Sequence, residues 1–233
     1  MREIIFDTET TGLDPRSGHR LVEIGCVELI DRRESGRTFH AYFHPERDMP
    51  AEAEAVHGLS LQFLSDKPLF EERADELLEF LGDAPMVAHN AAFDFGFVNA
   101  ELERVGRPLL DMTRMCCTVQ MARKLHPGAK HSLDALCTRY GIDRSHRVKH
   151  GALLDAELLA HLYIEMTGGR QIGLGLAATS TMVARTTLIM PGAAPGRSRP
   201  FREPRPHAAT PAELARHAEF VATLNQPLWH DSP

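Results

Sequence analysis

Asp7 and Glu9 stand two residues apart at the end of an apolar run, and strand geometry would point both carboxylates to one face. Like charges held so close repel unless a cation lies between them. The string Asp7-Thr8-Glu9-Thr10-Thr11-Gly12 adds a sharp exit whose backbone amides can face a ligand. A third carboxylate, Asp94, lies between Phe93 and Phe95, just after His89-Asn90, where Asn90 suits a helix N-cap. A fourth, Asp155, is set among Leu153, Leu154, Leu158 and Leu159, five residues after His150. An inward aspartate costs several kcal/mol unless it is hydrogen-bonded or holds a metal. Taken singly, each has a plain structural reading: a solvated turn, a helix-dipole partner, a surface histidine. Together, four oxygen donors and one imidazole suit hydrolysis assisted by hard divalent cations.

These groups need a scaffold. Residues 4–6, 21–29 and 38–43 read as strands separated by Gly, Asp and Arg turns. Helical spacing follows in Phe70, Ala74, Leu77, Leu78 and Leu81, then in Phe93, Phe97, Ala100 and Leu102 with Val105, then in Leu133, Leu136 and Tyr140. Residues 85–88 read as a buried strand, and residues 152–166 as a last helix carrying Leu154, Leu158, Leu159 and Leu162. Three hairpin-like strands followed by alternating helices and strands predict an α/β domain, a mixed central sheet flanked by helices.

The chain has 233 residues with 26 basic and 32 acidic side chains, a formal charge of −6. Residues 1–167 carry −9 and the remainder +3. That balance argues against a protein that grips long duplex DNA by neutralising many phosphates. Cys26, Cys116, Cys117 and Cys137 show no paired framework, so reduced thiols in the cytoplasm are expected. No apolar run approaches the roughly 18 residues of a membrane span, and no membrane partner is expected. Six of the fifteen prolines fall between Pro191 and Pro211, and residues 168–209 read as a flexible linker. Beyond it, Thr210-Pro211-Ala212-Glu213 combines a capping threonine, a first-turn proline and a capping-box glutamate, which predicts a helix from Pro211 to about Leu224. A helix so short is marginal alone, so its apolar face should dock.

Asp7-x-Glu9, Asp94, and His150 with Asp155 five residues later resemble the DEDDh exonuclease family, which has an RNase H-like fold. Val56-His57-Gly58-Leu59 resembles a further segment of that family. The likeness is closest to its proofreading branch, the epsilon subunits of bacterial DNA polymerase III, through His131-Ser132-Leu133-Asp134-Ala135-Leu136-Cys137 and Met166-Thr167-Gly168-Gly169. His131 departs from the asparagine usual there.

The resemblance implies a 3′–5′ exonuclease that removes mismatched 3′-terminal nucleotides with two divalent cations, Mg²⁺ or Mn²⁺. Asp7, Glu9 and Asp155 would hold one ion, Asp7 would bridge to the other, Asp94 would reach the second, and His150 would be the general base. Asp7, Thr8, Glu9, Asp48, Glu52, His57, Asn90, Phe93 and Asp155 are the expected substrate contacts. Asp48 stands where relatives carry an apolar residue. The implied partners are DNA 3′ ends, single-stranded or frayed, and the polymerase III alpha subunit, bound through residues 210–233. The segment Gln171-Ile172-Gly173-Leu174-Gly175-Leu176 resembles a weak sliding-clamp motif. Nothing in the sequence assigns a theta-type subunit.

Overall fold

A computed structural model describes residues 1–145, 149–168 and 209–223. The described residues fall into two units, the first ending at 168 and the second comprising 209–223. The expected linker lies almost wholly outside them, and the 171–176 motif wholly so.

Five strands form one sheet in the order β3-β2-β1-β4-β5. They are β1 (Arg2–Thr10), β2 (Leu21–Ile30), β3 (Arg33–Tyr42), β4 (Met86–Ala88) and β5 (Met115–Cys117). β1, β2 and β3 pair antiparallel, whereas β4 runs parallel to β1 and β5 parallel to β4. Asp31 and Arg32, both at positive φ, turn β2 tightly into β3, as a two-residue hairpin requires. The helices of this unit are α1 (Ala51–His57), α2 (Leu61–Leu64), α3 (Phe70–Leu81), α4 (Ala92–Arg104), α5 (Thr118–Leu125), α6 (Leu133–Tyr140) and α7 (Ala152–Met166). The second unit contains α8 (Pro211–Ala222).

Alternation along β1 divides the core. Ile4 and Phe6 join Ile24, Phe39, Leu77, Phe95 and Phe97 on the face covered by α3 and α4. Ile5 joins Val27, Val87, Leu136, Leu159 and Leu162 on the face covered by α6 and α7. A mixed sheet between two helical layers is thus observed, as the strand and helix pattern predicts.

The differences from the sequence reading are local. β3 begins at Arg33 rather than residue 38, because an edge strand is held by its pairing to β2 and tolerates the exposed polar run Arg33–Thr38. β5 has only three half-buried residues and carries no readable alternation. α1, α2 and α5 are likewise short and go unforeseen. Asn90 does not cap α4. It occupies the left-handed region at φ 69°, and Ala91 takes the cap position. The turn needs a positive φ before the helix, which asparagine tolerates, and the Asn90 carbonyl accepts from Phe93 N–H at 2.9 Å. α8 ends at Ala222, two residues early, but its capping box is present: Glu213 N–H donates to Thr210 Oγ1 and Thr210 N–H donates to the Glu213 carboxylate.

Candidate active site

The carboxylates converge where β1 ends between its antiparallel and parallel neighbours. Beyond the carboxyl ends of parallel strands, an open α/β sheet forms a crevice at such a switch of direction. Asp7 pairs in register with Gly25 of β2, and Gly25 decides how close α7 can come. A Cβ at position 25 would stand 2.2 Å from Leu153 N and 2.3 Å from its Cα. The bare backbone therefore admits the first turn of α7, and with it Asp155, directly onto the sheet beside Asp7. On the other side, the short β4 leads through Asn90 into α4, whose first turn carries Asp94.

A cavity of about 300 Å³ is lined by Asp7, Thr8, Glu9, Phe93, Asp94, His150 and Asp155, and also by His89, Ser132, Leu133 and Asp134. Ligand atoms of Glu9, His150 and Asp155 all lie within 4.8 Å of one another. His150 Nδ1 and Asp155 Oδ2 are 3.1 Å apart, with the imidazole half-exposed and the carboxylate 3 % exposed. Thr8 Oγ1 donates to Asp94 Oδ1 at 2.8 Å. Burial pushes the Asp94 carboxyl up, to about 7, against the opposing hydrogen bonds from the Thr8 hydroxyl and backbone amides. A divalent cation beside this carboxylate would reverse that balance, because an adjacent positive charge favours the ionised form. Buried acids that gather on one cavity with only oxygen and imidazole donors fit such a cation.

A second cavity of about 630 Å³ adjoins the first and shares Thr8, Glu9 and Phe93 with it. One wall is the end of β1 and the loop after it, with Thr10, Thr11, Gly12, Leu13 and His19; the other is α1, with Glu52, Ala53, Val56 and His57. His57 is buried, and its Nδ1 accepts from Leu59 N–H at 3.0 Å. Burial holds its imidazole below the usual histidine value, opposed by the Thr10 backbone.

All five residues of the acid and histidine set thus share the smaller cavity, and Glu52 and His57 line the larger one. Asp48 and Asn90 are exposed and line neither. Asp48 lies on the segment before α1, two residues ahead of Pro50, the nearest position there that lines the cavity. The sequence reading assigns no site role to His19, His89, Ser132 or Asp134. Three of these sit inside the motifs around Asn90 and Leu133, and that proximity is a usable signal. His19 has no signal in sequence, since only the turn of the loop brings it to the cavity.

The exonuclease family profile matches residues 4–163. A protein of Rickettsia conorii called DNA polymerase III subunit epsilon is 45% identical over 239 aligned residues, covering 96% of each chain. Its Escherichia coli K12 namesake is 47% identical over 176 residues, 72% of each chain. Among solved structures, Exonuclease X in complex with 5′ overhanging duplex DNA is 27% identical, with a TM-score of 0.54 over 71% of this chain and 90% of that one. Carrying that profile across residues 4–163 and 45–47% identical to these relatives over 72–96% of each chain, this chain belongs to the exonuclease family, in the group of the DNA polymerase III epsilon subunits.

Proposed function

We propose that this chain is the 3′–5′ proofreading exonuclease of a bacterial replicative DNA polymerase, hydrolysing the last phosphodiester of a mismatched strand to release a nucleoside 5′-monophosphate. The observation that carries this reading is the continuity of two cavities, one lined by Asp7, Glu9, Asp94, His150 and Asp155 and one large enough for a nucleotide.

Asp7, Glu9 and Asp155 would hold one Mg²⁺ or Mn²⁺, with Asp7 and Asp94 toward a second. When bound, such ions neutralise the carboxylates and the charge that develops on the phosphate oxygens. His150 acts as general base. With its Nδ1 held by Asp155 Oδ2, Nε2 takes a proton from the attacking water, whose oxygen forms the new bond to phosphorus as the bond to the 3′ oxygen of the preceding nucleotide breaks. Half-exposure of the imidazole lets that proton leave to solvent. Thr8 orients the Asp94 carboxylate through its hydroxyl. Phe93, Glu52 and His57 bound the terminal nucleoside, with Asp48 and Asn90 at most at the periphery. Preference for errors then follows from the lower cost of unpairing a mismatched end.

Residues 1–167 form the nuclease in this reading, 168–209 the tether, and 210–233 the segment that docks on the polymerase alpha subunit. Leu214 and Phe220 of α8 are 57% and 60% exposed, which supports docking of its apolar residues. The motif at 171–176 would add a sliding-clamp contact.

Asp7→Ala combined with Glu9→Ala tests the reading. On a 3′-mismatched primer with Mg²⁺, the double variant should lose at least about 10³-fold in turnover while keeping the wild-type circular-dichroism spectrum. Undiminished release of mononucleotides would refute it.

A further inference from the structure

The loop after β1 is held more firmly than a cavity wall on a surface loop needs to be. Thr11 N–H donates to the Arg20 carbonyl at 2.9 Å, and Arg20 N–H donates back to Thr11 Oγ1 at 2.9 Å. The Arg20 guanidinium is fixed in turn by Glu101 of α4, with Nε and Nη2 at 2.8 and 2.9 Å from its two carboxylate oxygens. Glu101 is 1% exposed, so this pair ties the loop to the helix that carries Asp94.

One side chain is what this bracing positions. His19 Nδ1 lies 3.2 Å from Thr11 Oγ1, and its ring rests on Gly12: a Cβ there would stand 2.3 Å from two of its ring atoms. Gly12 is bare so that the imidazole can lie against it. His19 lines the larger cavity and is absent from the carboxylate cavity. The larger cavity is also lined by Pro50, Ala53, Val56 and Phe93, with the Glu52 carboxylate and the His57 imidazole on the α1 wall.

We propose that His19 is a substrate-binding residue that packs against the base of the 3′-terminal nucleotide. The inference rests on the nuclease reading above and extends it, since it assigns the two cavities to two parts of one nucleotide. The phosphodiester must lie among Asp7, Glu9 and Asp155, so the part that fills the larger cavity is the nucleoside. An imidazole held at one nitrogen by Thr11 and packed against Gly12 offers a preorganised aromatic surface to a base. Stacking of that kind tolerates any base, because each has a π-face. Preorganisation also lowers the entropy lost when the base arrives.

The experiment is steady-state hydrolysis of two single strands, one ending in a normal 3′ nucleotide and one in an abasic 3′ nucleotide, by the full-length wild type and by His19→Ala. On the normal strand His19→Ala should raise KM about tenfold, with the loss falling on KM rather than kcat. On the abasic strand the two proteins should have the same KM. Gly12→Ala, which displaces the ring, should reproduce the pattern while His19 remains in the sequence. A KM for His19→Ala equal to that of the wild type on the normal strand would overturn the proposal. So would an equal penalty on both strands, which would mean that the residue only shores up the loop. Failure of the wild type to hydrolyse either strand would instead refute the nuclease reading itself.

Discussion

At the scale of the residue, the strongest constraint is electrostatic. Asp94 and Asp155 are 2% and 3% exposed, and Glu9 is 8% exposed. Burial of that depth is unfavourable for carboxylates that serve no charge partner, which is why an aspartate among leucines or phenylalanines reads as chemical even without a fold. His150 is different. By type alone it is one of thirteen histidines; its spacing from Asp155 in the motif marks it in the sequence, and in the fold it lies 3.1 Å from the Asp155 carboxylate on the acidic cavity. His150→Ala should lower kcat by about 10² to 10⁴-fold with a much smaller change in strand affinity, measured by single-turnover kinetics beside equilibrium binding. A purely affinity-based loss would remove it from the general-base role. His57 makes a separate prediction about stability. Burial lowers its folded-state pKa, while Glu23 and Glu54 raise it and Lys149 lowers it further. The native state therefore binds fewer protons than the unfolded chain as pH falls through about 6.5, and stability must fall with it. Denaturant midpoints should drop between about pH 7.5 and pH 5.5, and His57→Gln should flatten that dependence.

At the scale of the element, the site depends on helices arriving at the sheet with little freedom. β1 supplies Asp7 and Glu9 by simple alternation, and that much is legible in the string from Asp7 to Gly12. The approach of α7 is not legible, because it depends on a missing side chain on another strand. Gly25→Ala places a methyl group into the backbone of Leu153. Such overpacking should cost about 1–3 kcal/mol, and the accompanying shift of Asp155 should reduce turnover about 10²-fold, as thermal denaturation and initial rates would report. Wild-type turnover in the Gly25→Ala variant would mean that α7 is not set by this contact. The short elements are unreadable for a related reason. β5 and α2 have three and four residues, too few to display a period; β5 is held by its parallel pairing to β4, and α2 is capped by the Ser60 hydroxyl, which accepts from Phe63 N–H, and buries Leu64.

At the scale of the whole molecule, the charge of −6 resolves into an acidic nuclease unit and a basic extension. An acidic unit has little unaided grip on long duplex DNA, which suits an enzyme that touches a few terminal nucleotides and is kept at its work by a partner. A chain truncated after Gly169 should keep its hydrolysis of single-stranded DNA within about twofold, as expected for a self-contained unit, and should lose co-elution with the polymerase alpha subunit in size-exclusion chromatography. Retained co-elution would move the docking surface into the first unit. By itself the sequence determined the kinds of chemistry available, the α/β layering and the capped α8, because each follows from residue type and local period. Only the tertiary structure decided which groups meet. It admitted α7 at Gly25, left Asp48 and Asn90 outside both cavities and brought His19 across to face α1, since those outcomes depend on distances between segments far apart in the chain, and no local pattern encodes them.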